Sequence, residues 1–281
     1  MPSTRRIDPV ERIVFASDHD GQPDIYSMAV DGTDVTRLTF DPALDTNPDW
    51  SPDRSRIAFT SDRGGDLDIY TMAADGSDVL LVTRDDGYDG AADWSPDGAR
   101  IVYDAEDAAG HLQVFTIDSV GIDPPTQLTT DGLNGKPVWS PDGSRIAFIS
   151  LRDGDQEVYV MGADGMNQVD LTNDPAGDVL PAWSPDGALL AFVSDRGGDR
   201  DIHVMNVDGS AVRQLTDDPG EDGNPSWSAD GGEIVFTSDR DGDVEVYVMA
   251  VDGSDLRDLT RSAAWDYVPD WSPSPIATHL P

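Results

Sequence analysis

Six tryptophans, Trp50, Trp94, Trp139, Trp183, Trp227 and Trp271, stand 44, 45, 44, 44 and 44 residues apart, and the residues around each recur with them. A period of this length limits the possible folds more than any other property of a chain. Each copy must be one supersecondary unit that buries its apolar face against its neighbours. The clearest copy is residues 225–248, PSWSADGGEIVFTSDRDGDVEVYV. The copies also align the chain with itself, separating positions held fixed from positions left free.

Each unit holds four short runs of β-branched and aromatic residues bounded by Gly, Asp and Pro, which is strand chemistry. The first ends in the Trp, and the second is I/L-x-F/Y, as at Ile57–Phe59 and Ile234–Phe236. The third carries Ile or Val followed by an aromatic or His, and the fourth ends in L/V-Thr, at Thr39, Thr83, Thr129, Thr172, Thr216 and Thr260. SPDG or a near copy joins the first run to the second, and Asp-Gly joins the third to the fourth, both tight-turn signals. No segment shows an apolar helical period with caps. Four antiparallel strands per unit, six times over, predict an all-β fold: a six-bladed β-propeller. The chain starts on a second-type strand at Ile13 and ends on a first-type strand at Trp271. The C-terminal strand is therefore expected to complete the N-terminal blade and hide the open edges. One domain spanning residues 1–281 is expected.

The pattern WSPDG-x-x-I-A-F-x-SDR-x-G-x-x-DIYVM-x-x-DG-x-x-x-x-x-LT resembles the WD40-like repeat of TolB-like propellers, over roughly residues 11–272. The resemblance implies a six-bladed propeller serving as a non-catalytic binding or scaffold module. Related propellers also serve as the non-catalytic domain of prolyl-oligopeptidase-type enzymes and as a pectate-fragment lyase. An alternative reading is therefore a hydrolase or lyase acting on a small or glycan substrate.

The formal charge is −37, with only six Glu among 55 acidic residues and a single lysine, Lys136. Turns explain the preference for Asp over Glu. A charge this negative repels nucleic acid and anionic membranes and favours cations or a basic protein or peptide. Cys is absent, which excludes thiolate metal sites and Cys nucleophiles. No stretch has the apolar length of a membrane span, and the N-terminus MPSTRRIDPVERIVF has no signal-peptide core. A cytoplasmic monomer is expected from the sequence as written, or a periplasmic or secreted one if a leader has been removed.

Five residues before each Trp stand Asp45, Asp89, Asn134, Asp178, Asp222 and Asp266. Six-fold repetition would gather them around one channel mouth. Two carboxylates about 6 Å apart repel by roughly 3 kcal/mol at an effective dielectric of about 20. Such a ring either caps its own loops through backbone N–H groups or holds a cation. Oxygen-only ligands suit Ca²⁺ or Mg²⁺. Positions beside the ring vary between copies, as a binding surface requires: Asn47, Tyr88, Lys136, Asn224, Trp265 and Tyr267 are the candidate partner contacts. The SDRDGDVE-type loops are acidic too, and an Asx turn with an Arg–Asp pair accounts for them. There is no G-x-S-x-G elbow, and His19, His111, His203 and His279 show no metal-ligand spacing.

Overall fold

A computed structural model describes residues 11–84 and 86–273, and His279 lies outside them. Six four-stranded antiparallel sheets are formed, each running from an inner strand that ends in the Trp to a short outer one. Blades two to six are continuous in sequence. Blade two, for example, comprises Asp45–Trp50, Arg56–Ser61, Asp68–Ala73 and Leu80–Leu81. Blade one is composite: Asp266–Trp271 pairs with Arg12–Ser17, which leads to Asp24–Ala29 and Thr36–Arg37. The expected closure is thus present. It is tied by Ser272 N–H to Arg12 C=O at 2.9 Å and by the Trp271 indole to Glu11 Oε2 at 3.1 Å.

The second and third strands are buried on both faces because each blade is covered by a neighbour on either side. This is why they carry near-continuous apolar runs in place of a clean alternation. Between blades one and two, Val14, Ala16 and Ile25 meet Trp50, Ile57, Phe59, Tyr70 and Met72. Equivalent clusters fill the other junctions. Each buried aromatic or Ile contributes roughly 1.5–3 kcal/mol. The core is a set of six blade-to-blade wedges, with the repeated Trp at the narrow end of each.

The outer strands differ from expectation. They are two residues long, and the L/V-Thr step lies just beyond them. The Thr has a separate task there. Thr39 Oγ1 accepts the Ile25 N–H at 2.9 Å and donates to Asp24 at 3.0 Å, and the other blades repeat the arrangement. One hydroxyl thereby ends the sheet and satisfies a buried polar pair.

The Asp-Gly turns seal the rims between blades. Gly76 has φ +85°, and a Cβ there would lie 2.3 Å from the Leu38 carbonyl oxygen of blade one. Gly76→Ala is expected to lower the unfolding free energy by about 1–3 kcal/mol, measured by urea denaturation. An unchanged midpoint would show that the two blades do not need this close approach.

A channel with an acidic arc

The inner strand of each blade carries a bulge. In blade two the register with the second strand shifts between Thr46 and Asp49, and the other five blades shift at the same place. The first bulged residue is left-handed in every blade: Asn47 (φ 49°), Ala91 (47°), Lys136 (49°), Leu180 (54°), Asn224 (48°) and Val268 (50°). None is Gly, and for a β-branched Val this conformation is an outlier. A bulge re-aims side chains, and here it directs this position and the one two residues later at the central axis.

The result is a cavity of about 530 Å³ along the axis. It runs from the level of Asn47 and Lys136 to a collar formed by Pro52, Pro96, Pro141, Pro185, Ala229 and Pro273 in the first hairpin turns. Its middle level is unevenly charged. Asp270, Asp49 and Asp93, on three consecutive blades, form one arc, and Val138, Ala182 and Ser226 form the other. Each of these carboxylates latches the next blade by accepting the backbone N–H of its Trp: Asp270 from Trp50 at 2.9 Å, Asp49 from Trp94 at 2.9 Å, and Asp93 from Trp139 at 2.7 Å. Ser226 donates to Asp270 Oδ1 at 2.9 Å and accepts from Trp271 at 3.1 Å. Where Val138 and Ala182 stand, the following Trp instead donates its indole N–H to their carbonyls, at 3.2 and 3.1 Å.

The three carboxylates are partly buried where they line the channel. Burial pushes Asp93 up to about 8 and Asp270 up to about 6, and raises Asp49 well above the ordinary range. Repulsion from Asp270 adds to the effect at Asp93, and repulsion from Asp93 and Asp270 adds to it at Asp49. Three carboxyls whose burial favours the protonated form are thus gathered on one side of the lumen.

The six positions five residues before each Trp are buried at the start of the inner strands. In three blades the carboxylate meets the Arg of its own SDR loop: Asp45 with Arg63 at 2.8 Å, Asp178 with Arg196 at 2.8 Å, and Asp222 with Arg240 at 2.9 Å. The guanidinium also bonds the SDR serine and lies over an aromatic ring, as Arg240 does over Phe236 and Tyr247. In blade four Asn134 receives Arg152 at 3.0 Å and donates to Gln113 at 2.8 Å. Blade one has His19 at the Arg position, and Asp266 accepts from Ser262 at 2.9 Å. Asp89 is fully buried. Among the described residues no three His, Cys, Asp or Glu are placed together to hold a metal ion.

Of the residues singled out beside that ring, Asn47, Lys136 and Asn224 line the cavity, whereas Tyr88, Trp265 and Tyr267 do not. Tyr88 bonds Asp104, whose Oδ2 also accepts the Lys136 backbone N–H at 2.9 Å. Trp265 is 57 % exposed on an inter-blade loop fixed by Asp18. Tyr267 is half-buried against Thr46. His203 is buried in the core beside Phe192, and burial lowers its pKa. His19 and His111 are exposed. Asp49, Asp93 and Asp270 escaped the sequence reading, although one signal was available. The residue before the Trp reads D, D, V, A, S, D around the ring, a charge asymmetry inside an otherwise regular strand.

The family model described as the TolB beta propeller domain matches residues 8–129, 126–212 and 196–277. The fold is similar to TolB from Acinetobacter baumannii (TM-score 0.85, 21% identity), with 94% of this chain and 67% of that chain covered. It is also similar to the putative TolB from Agrobacterium tumefaciens (0.77, 23%, covering 94% and 99%). A third similar structure is an oligogalacturonate lyase in complex with manganese (0.63, 19%, covering 89% and 74%). At these identities the likeness establishes the fold. No curated protein matches the chain.

Proposed function

Because the chain belongs to the TolB β-propeller family, we propose that it is a non-catalytic binding propeller whose central channel holds a cationic group presented by a basic protein or peptide. The observation that supports this is the acidic arc: Asp270, Asp49 and Asp93 face one lumen, and among the described residues none of them forms an ion pair. The guanidinium groups of the SDR loops are spent on Asp45, Asp178 and Asp222. A cation about 4 Å from one arc carboxylate gains on the order of 4 kcal/mol at an effective dielectric of about 20, and a net charge of −37 steers it inward. Calcium or magnesium at Asp45, Asp89, Asn134, Asp178, Asp222 and Asp266 is the competing occupant, and at Asp45, Asn134, Asp178 and Asp222 it has to displace a bound arginine.

Fluorescence anisotropy with a labelled Lys/Arg-rich peptide tests the reading. Affinity is expected to fall at least about 100-fold in Asp49→Asn/Asp93→Asn, since each lost charge pair removes about 1.5–3 kcal/mol, with the thermal midpoint no lower than that of the parent. If the peptide binds the variant equally well, or binds neither protein, the channel is not the cation site. A calcium titration of the same proteins separates the metal occupant, because calcium on the outer ring does not respond to Asp49 or Asp93.

A further inference from the structure

The cavity carries charge of both signs at two levels, and that pattern narrows what fits it. At the bulge level stands Lys136, the only lysine in the chain, held in the left-handed region. Its Nζ lies 3.5 Å from Asn47 Oδ1, across two blades, and among the described residues it makes no ion pair. Asn47 and Asn224 share its level and add amide groups, and Ala91, Leu180 and Val268 complete the ring. Two residues further along the strands, about 6–7 Å away at an extended rise, lies the arc of Asp49, Asp93 and Asp270. Opposite the arc, Val138 and Ala182 present an apolar wall. A cavity of about 530 Å³ lies within the range of small-ligand pockets.

We propose that the channel recognises a lysine-like zwitterion, with its ammonium on the acidic arc, its carboxylate on Lys136 and the Asn47 amide, and its methylene chain along the apolar wall. This deepens the cation-binding reading and rests on it. The same chemistry has two sources: a free ω-amino acid, or a partner protein ending in lysine, which carries both the side-chain ammonium and the chain-terminal carboxylate. The six-fold strain at the bulge then has a use. It sets Lys136 and the asparagines in the lumen beside the carboxylates, re-aimed relative to the ring residues at the start of the same strands.

Isothermal titration with 6-aminohexanoate, hexylamine and hexanoate tests the proposal. The zwitterion is expected to bind at least ten-fold more tightly than either half-molecule. Lys136→Met should reduce it to the level of hexylamine, and Asp93→Asn should reduce it toward that of hexanoate. A decapeptide ending in lysine, compared with its C-terminal amide, separates the sources. A ten-fold loss on amidation supports a chain terminus, whereas 6-aminohexanoate binding with neither peptide binding supports a free amino acid. Equal affinity for hexylamine and 6-aminohexanoate overturns the zwitterion while leaving the cation site standing. Failure of every amine to bind removes both. If Lys136→Met does not fold, the three probes on the unaltered protein still decide the question.

Discussion

Unfolding free energy from urea titrations is expected to fall as pH rises from about 4 to about 8, by several kcal/mol. The responsible groups are carboxylates whose protons the fold retains. In the channel these are Asp49, Asp93 (about 8) and Asp270 (about 6). At the blade junctions burial pushes Glu157 up to about 7 and Asp201 and Glu245 up to about 6, with neighbouring carboxylates adding repulsion. A carboxyl with a raised pKa is protonated in the native chain at pH values where the unfolded chain, near 4, has already released its proton. The native state therefore binds more protons, and stability declines with pH until the folded values are passed. One pKa unit on one group corresponds to about 1.4 kcal/mol, so even heavily screened shifts at six sites give a visible slope. Turn carboxylates act oppositely and in another window. Asp142, held down to about 2 by Ser140 and Ser144, contributes stability that is lost only as pH falls below about 4. A maximum near pH 4–5 results. Asp93→Asn should flatten the alkaline limb and make the variant the more stable protein at pH 8. A parental stability that climbs steadily from pH 4 to 8 contradicts the assignment.

Removal of a single guanidinium should be nearly as damaging. Arg240→Ala is expected to lose about 3–5 kcal/mol, the cost of stranding a buried carboxylate. Asp222 has no exposed surface to speak of, and burial raises its pKa even with the arginine present. The loss includes the bond to Ser238 at 2.8 Å and the packing over Phe236 and Tyr247. Asp222→Asn in the same chain should restore a large part of it, because a neutral amide leaves no buried charge behind. The molecule already contains that control. In blade four the ring residue is Asn134, so Arg152→Ala should cost only about 1–2 kcal/mol, as expected for an uncharged partner. Equal losses at Arg240 and Arg152 would mean that packing, and not the charge pair, carries the effect.

The blades were legible because each depends on neighbours in sequence. The Trp spacing set their number, the SPDG and Asp-Gly turns set their hairpins, and the phase of Ile13 and Trp271 set the closure. The outer strands were overestimated because Thr39 and its counterparts have strand-like side chains but use their hydroxyls on the preceding strand. The site was legible only in part. Asn47, Lys136 and Asn224 were found because they vary between copies, and they do line the channel. Tyr88, Trp265 and Tyr267 vary as well, but they do not line it.

What the sequence determined alone is everything that repeats: strand count, turn positions, inter-blade tryptophans and the negative field of the whole molecule. These follow from local chemistry and a period. What only the tertiary structure decided is which carboxylates are answered and which are not. Asp222 and Asp270 are both acidic residues on an inner strand, and nothing in their local sequence ranks one above the other. Three residues separate their repeat positions, and a bulge lies between them. That bulge turns Asp270 toward the axis, where Asp49 and Asp93 of the next two blades supply like charge, while Asp222 faces an arginine of its own blade. Charge compensation is a property of distances across blades, and those exist only once the ring has closed.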